Sequence, residues 1–141
     1  IQSVKKYRDQ SVEDLARERR EREVANGRAA EDRFVWIASR LSGNNSEAQR
    51  QYAFEQVENK LVVATGRVSD VERAGIISPP TITIDAGYDG LTVFCHLPRS
   101  TTDGALATVS KGQRYECRGT ASSYTFIFGS AGISVTAKSI R

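Results

Sequence analysis

The side chains with the most reactive chemistry are Cys95, Cys117 and the single histidine, His96. The two cysteines are 22 positions apart and belong to no CxxC motif. A tetrahedral zinc site needs about four Cys, His or carboxylate ligands, so we expect no metal site here. His96 follows Cys95 directly, and neighbouring residues of a strand point to opposite faces. We therefore expect no thiolate–imidazole pair and no catalytic cysteine.

The oxidation state of the two cysteines has two interpretations. Both side chains fall on the inward face of predicted strands, and free cysteine is among the most buried residue types. We favour two buried free thiols on that basis. The alternative is a Cys95–Cys117 disulfide across the sheet, which would indicate an oxidising compartment.

Signatures of enzymes are missing from the chain. It contains no GxSxG, GxxxxGK[ST] or HExxH motif. Asp85, Asp89 and Asp103 lie in or beside predicted loops rich in Gly and Ser, where an aspartate commonly stabilises a turn. We expect neither an enzyme nor a bound cofactor.

A second group of side chains could bind a ligand by stacking and charge. Single-stranded nucleic acids are bound by exposed aromatic rings beside cations. The candidate binding residues of this kind are Arg67, Arg73, Phe94, His96, Arg118, Tyr124 and Phe126. The competing interpretation, which we favour, is that an N-terminal helix covers Phe94. The net charge of +3 is too small to identify a nucleic-acid-binding protein by itself.

The composition divides the chain near residue 60. Only two of the 11 glycines, Gly27 and Gly43, and none of the three prolines precede it, so helices should come first and strands second. A capping box at Ser11 predicts a helix over residues 12–24, and Asn26-Gly27 predicts its end. Apolar spacing predicts further helices over residues 29–41 and 46–58, the latter with Ser46 as N-cap. We assign residues 1–45 to a charged helical arm with a bracing helix, and residues 46–141 to the barrel domain with its leading helix.

Five strands are expected after residue 60. Alternation and β-branched residues predict them at residues 61–71, 81–84, 91–97, 113–121 and 133–140, with a short helix within 101–110. Residues 124–128 either continue the fourth strand or form a loop. Gly66 in the first strand predicts a bend or bulge. This order of elements, with a bent first strand, is that of an OB-fold, a five-stranded Greek-key barrel.

Four segments strengthen that assignment. They are residues 52–68 (YAFEQVENKLVVATGRV), 93–95 (VFC), 109–113 (VSKGQ) and 117–119 (CRG). Together they resemble the tRNA-anticodon-like OB-fold family of small bacterial proteins, over residues 52–140. The resemblance implies the barrel and a helix leading into it. Members of this family are often secreted or membrane-anchored. Cys117 departs from the family pattern, which often has a cysteine after the glycine, and residues 1–45 lie outside the resemblance.

These observations predict a non-enzymatic OB-fold binding module that acts through protein or small-ligand contacts, with single-stranded nucleic-acid binding as the alternative. The N-terminal helices could also contact a protein partner or a second copy of the chain. No stretch approaches the roughly 20 apolar residues of a membrane helix, so we expect no membrane span in this chain. The chain has no methionine, and we expect Ile1 to be a processed or trimmed boundary. The expected location is the bacterial envelope, periplasmic or membrane-anchored, with the cytoplasm as the alternative.

Overall fold

The computed structural model describes residues 2–88 and 90–140, with side chains from residue 12 onward. Two helices precede a five-stranded sheet that closes into a ring, and a short third helix lies between its third and fourth strands; the architecture is mixed α+β, as expected. The helices are α1 (Gln2–Leu41), α2 (Glu47–Glu55) and α3 (Asp103–Leu106). The strands are β1 (Leu61–Glu72), β2 (Thr81–Asp85), β3 (Thr92–His96), β4 (Arg114–Ile127) and β5 (Ser130–Ala137).

The N-terminal helix α1 is continuous over 40 residues, so the predicted start at Ser11 and the predicted break at Asn26-Gly27 are both wrong. Glycine in a helix interior costs only about 1 kcal/mol relative to alanine. The helix-forming Arg, Glu and Ala residues around Gly27 offset that cost. The left-handed glycine that follows the helix is instead Gly43, with φ 78°.

The short helix α2 begins as predicted. Ser46 is its N-cap, and the Ser46 hydroxyl accepts a hydrogen bond from the amide of Gln49. The Gln49 side chain in turn accepts one from the amide of Ser46, which completes a capping box. This cap fixes where the chain turns from α1 into α2.

The sheet runs in the order β1-β2-β3-β5-β4, and β4 returns to pair with β1. The β3–β5 pair is parallel, and every other pair is antiparallel. Residues 61–67 of β1 pair with β4, and residues 67–72 pair with β2. One long strand therefore serves both halves of the ring.

Gly66 lies where β1 passes from one partner to the other. A Cβ atom on Gly66 would lie 2.2 Å from the carbonyl oxygen of Asp85, so only glycine allows β2 to approach this closely. The irregularity in the β1–β2 register lies three residues later, between Val68 and Asp70. The bulge predicted at Gly66 therefore falls at Ser69, and Gly66 is instead the point of close approach between β1 and β2.

The fourth strand is longer than predicted. It continues through residues 124–127, with a register shift between Ala121 and Ser123. It then turns through Phe128 and Gly129, both at positive φ, into β5. The apolar run after Ala121 is therefore strand, which was one of the two alternatives.

One apolar core joins the helices to the sheet. Alternate strand residues such as Val62, Ile82 and Val135 are fully buried inside the ring. Ile37 and Leu41 of α1 belong to the same cluster and are also fully buried. By contrast, residues 12–29 of α1 are exposed except for partly buried Ala16 and Gly27. The last third of α1 thus braces the sheet, and the middle of the helix extends into solvent.

Candidate functional site

Cys95 and Cys117 form a disulfide, so the favoured prediction of two free thiols is wrong. Both residues face inward, on β3 and β4, and β5 lies between those strands in the sheet. Closure of the ring brings their Cα atoms to 6.1 Å, within the range that a disulfide spans. The Cα–Cα distance cannot be predicted from the separation of the two cysteines along the sequence, because the distance depends on how the ring closes.

His96 is held by a neighbouring strand. The hydroxyl of Thr81 donates a hydrogen bond to the carbonyl oxygen of Pro79 at 3.1 Å, and the Nδ1 of His96 lies 3.0 Å from the same hydroxyl oxygen. The direction of this second bond is set by the tautomer of the imidazole ring. Burial lowers the pKa of His96 below its usual 6.5, which favours the neutral ring. Thr81 is itself only 8% exposed, so the pair fixes the β2–β3 register and offers no accessible nucleophile.

Phe94 lies on the outward face of β3 and is half-buried. Its ring packs beside Gly132 of β5, where an added Cβ atom would come within 3.0 Å of a ring carbon. Phe94 therefore covers the outside of the parallel β3–β5 pair. The two competing predictions for Phe94 were a free stacking platform and a ring under a helix, and the observed contact is with a strand.

The three predicted arginines lie apart from Phe94, and each has a local partner. Arg67 donates to the carbonyl oxygen of Gly112 at 3.1 Å. Arg73 lies 3.9 Å from the carboxylate of Asp103, and Arg118 lies 2.8 Å from that of Glu116. The structure does not bring these three guanidinium groups together.

Tyr124 and Phe126 pack against α2. The Tyr124 ring lies 5.0 Å from that of Phe54, and its hydroxyl donates to the Gln51 side chain at 3.0 Å. The guanidinium of Arg50 lies 3.6 Å from the centre of the Phe126 ring. Both predicted stacking residues thus attach α2 to the end of β4.

A cleft that the sequence analysis did not predict lies between α1, the sheet and the loop after β2. We call it the α1–β1 cleft, and its volume is about 560 Å³, within the range of small-molecule sites. Its lining residues are Glu31, Phe34, Val35, Val63, Thr65, Gly66, Arg67, Asp85, Ala86, Gly87, Tyr88 and Arg114. Of the predicted binding residues, Arg67 alone lines it. The remaining lining residues could not be recognised from sequence, because strand register and the position of α1 bring them together.

Charge in the α1–β1 cleft is arranged in a row. Asp85 of β2, Arg67 of β1 and Arg114 of β4 are register partners on three adjacent strands. The Asp85 carboxylate accepts a hydrogen bond from the amide of Gly87 at 2.9 Å. Across the side chains described from residue 12 onward, no carboxylate lies within 4.0 Å of the guanidinium of Arg67 or Arg114. The two arginines therefore face the cleft without an ion-pair partner.

Within residues 2–88 and 90–140, no three His, Cys, Asp or Glu side chains are grouped so that they could hold a metal ion. Over the same residues, no helix has both the length and the apolar character needed to cross a bilayer.

Comparison of the chain with protein-family models and with curated protein sequences found no match.

Proposed function

We propose that this protein is a non-enzymatic OB-fold module that binds a small ligand in the α1–β1 cleft and works in an oxidising compartment, the bacterial envelope. The observation that carries the ligand-binding role is the cleft itself. Four separate parts of the chain meet there, and they supply apolar, aromatic and charged groups to one concave surface.

The OB-fold assignment is supported by strand order. A closed β1-β2-β3-β5-β4 sheet with one parallel pair, β3–β5, matches the Greek-key arrangement of that fold. The long β1 that pairs with both β2 and β4 fits it as well. The same features agree with the resemblance to the tRNA-anticodon-like family, which remains a proposal.

The compartment is argued from the disulfide. Disulfides persist in oxidising environments and are rare in the reducing cytosol. The Cys95–Cys117 bond lies in the core, since the two residues are 0% and 1% exposed. A buried bond of this kind supports a stabilising role and a location outside the cytoplasm.

The test is an NMR screen of the full ¹⁵N-labelled chain against small aromatic fragments of positive, neutral and negative charge. We expect shifts that cluster at the amides of Thr65, Gly87 and Tyr88. The variant Val35→Trp fills the cleft from α1 and should abolish them. Val24→Trp is the matched control, because Val24 lies on the same helix, is similarly exposed and is outside the cleft. An absence of shifts at the cleft, or equal shifts in both variants, would contradict the proposal.

Single-stranded nucleic-acid binding is the second candidate, and the half-exposed ring of Phe94 on the outside of β3 is the observation that favours it. Fluorescence anisotropy with DNA and RNA single strands at low salt separates the two functions. We expect no saturable binding. Binding that weakens steeply with salt, and that Phe94→Ala removes while Phe128→Ala does not, would establish the second candidate instead.

A further inference from the structure

The arrangement of charge in the α1–β1 cleft specifies a ligand class. We propose that the cleft binds an organic anion, a carboxylate or phosphate group carried on an apolar body, with the anionic group held between Arg67 and Arg114. This inference rests on the ligand-binding role proposed above and adds the chemistry of the ligand.

The first step is the position of the two arginines. Arg67 of β1 and Arg114 of β4 are direct register partners. Directly opposed residues of an antiparallel pair have Cβ atoms about 4.5–5.5 Å apart, and like charges in that position repel each other. An anion placed between the two guanidinium groups replaces this repulsion with two attractions.

The second step is that no carboxylate in the described structure forms an ion pair with either arginine, although Asp85 is the register partner of Arg67 on β2. The cleft also contains Asp85 and Glu31, but neither lies within 4.0 Å of Arg67 or Arg114 in the described structure. Asp85 lies on the β2 side of Arg67 and is bonded to the amide of Gly87. Glu31 comes from α1. On β4, the carboxylate of Glu116 is paired with Arg118 at 2.8 Å, so the side of the cleft at Arg114 is the place for a negative group.

The third step is the fixed position of one arginine. A guanidinium has five N–H donors in a planar fork that matches carboxylate and phosphate oxygens. Arg67 donates from Nη1 to the carbonyl oxygen of Gly112, which orients the group and leaves further donors for a ligand. Arg114 makes no ion pair within the described residues and is free to close on the same anion.

The fourth step is the apolar part of the cleft lining. Phe34 of α1 meets Tyr88 edge to face, with ring centres 6.4 Å apart. Val63 is 2% exposed in the cleft floor, and Val35 adds a half-exposed side chain from α1. This surface suits a hydrocarbon or aromatic body attached to the anionic group.

The experiment compares ligands that differ in charge and share an aromatic body. Phenyl phosphate and benzoate are titrated into the full ¹⁵N-labelled chain, with benzyl alcohol as the neutral reference. We expect one or both anions to bind about tenfold more tightly than benzyl alcohol, because charge-assisted hydrogen bonds are the stronger ones. Phosphate and carboxylate are thereby distinguished in the same series.

Arg114→Gln should remove the preference for anions, so that the affinities for phenyl phosphate and benzoate fall to that for benzyl alcohol in the same variant. Arg118→Gln is the matched control, since Arg118 lies on β4, faces outward and pairs with Glu116 outside the cleft. In the absence of ligand, Arg114→Gln should also raise the Tm, because it removes a like-charge contact, whereas Arg118→Gln should not.

Two results would overturn the inference. One is equal affinity for benzyl alcohol and both anions at the cleft, which would leave the ligand-binding role intact and remove its charge selectivity. The other is an equal loss of anion affinity in Arg114→Gln and Arg118→Gln. That result would show that anion affinity comes from the overall positive charge of the surface and not from Arg114 in the cleft. Failure of every fragment to perturb the cleft is a separate outcome that rejects the proposed function as well.

Discussion

The guanidinium group of Arg50 lies 3.6 Å from the centre of the Phe126 ring, so a cation–π contact joins α2 to the end of β4. Arg50 is only 8% exposed, and its Nη1 also donates to the carbonyl oxygen of Asn45. A desolvated cation over an aromatic ring contributes about 2 kcal/mol. This contact, more than any exposed stacking role, accounts for the position of Phe126.

A double-mutant cycle measures that contact. With Arg50→Met and Phe126→Leu, we expect a coupling energy of about 1–2 kcal/mol in urea unfolding. The control is the pair of exposed Arg40 and half-buried Trp36, in which the guanidinium lies 4.1 Å from the ring centre, and it should couple by about 0.5 kcal/mol. Equal coupling in the two pairs would show that burial of Arg50 adds nothing.

The disulfide should contribute substantially to stability. Closing a loop of 22 residues lowers the entropy of the unfolded chain, and the loop-closure relation gives about 3 kcal/mol. We expect the double variant Cys95→Ala, Cys117→Ala to lose about that amount in urea unfolding. Thiol titration of the denatured, unreduced wild-type protein should detect no free thiol, and detection of two would show that the bond is not formed.

Substitution of alanine for glycine should change the stability of the protein in opposite directions at Gly66 and at Gly27. Gly66→Ala places a Cβ atom 2.2 Å from the Asp85 carbonyl oxygen, so β1 and β2 must separate, and we expect a loss above about 2 kcal/mol. Gly27→Ala meets nothing within 4 Å in the interior of α1 and should stabilise the helix by about 0.5–1 kcal/mol. Thermal unfolding of both variants is the measurement. A loss of stability in Gly27→Ala would contradict the continuous helix.

Stability should fall in mild acid because of His96. Its pKa is lower in the folded protein than the usual 6.5, so folding favours the neutral ring. The full contribution is present above pH 6.5 and is lost progressively as the pH falls through 6.5 toward the folded-state pKa. Urea unfolding between pH 8 and pH 5 measures it, with His96→Gln as the reference. The pH dependence should be weaker in the variant, and an unchanged slope would assign it to other groups.

Phe128 is a bulky residue in an unfavourable conformation. It has φ 52°, precedes Gly129 at φ 80°, and is fully exposed at the β4–β5 turn. Two-residue turns of this kind prefer Asn-Gly. We expect Phe128→Asn to stabilise the protein by about 1 kcal/mol, since no packing is lost and the left-handed conformation becomes easier. Phe128→Val should destabilise it, and a rise in Tm for both variants would refute the backbone argument.

Local patterns predicted much of the fold. Alternation located four of the five strands to within three residues at each end, while β4 runs six residues past its predicted end. Ser46 was recognised as a cap because its bonds are made within one helical turn. The break at Gly27 was predicted wrongly, since a glycine's effect depends on the helix on both sides of it. Two features depend on how the sheet closes into a ring and could not be predicted from the sequence. They are the Cys95–Cys117 distance and the register that sets Arg67 opposite Arg114 in the α1–β1 cleft.

Because α1 is continuous, its exposed part is held at a fixed distance and a fixed rotation relative to the sheet. Residues 12–29 of this helix extend for about 27 Å, at 1.5 Å per residue, before the helix reaches the core. Each residue also turns the helix by about 100°, so insertion of one alanine in this segment would rotate its N-terminal side by that angle relative to the cleft without disturbing the sheet. Whatever contacts the exposed part of α1 therefore lies at a set distance from the sheet and at a set angle around the helix axis.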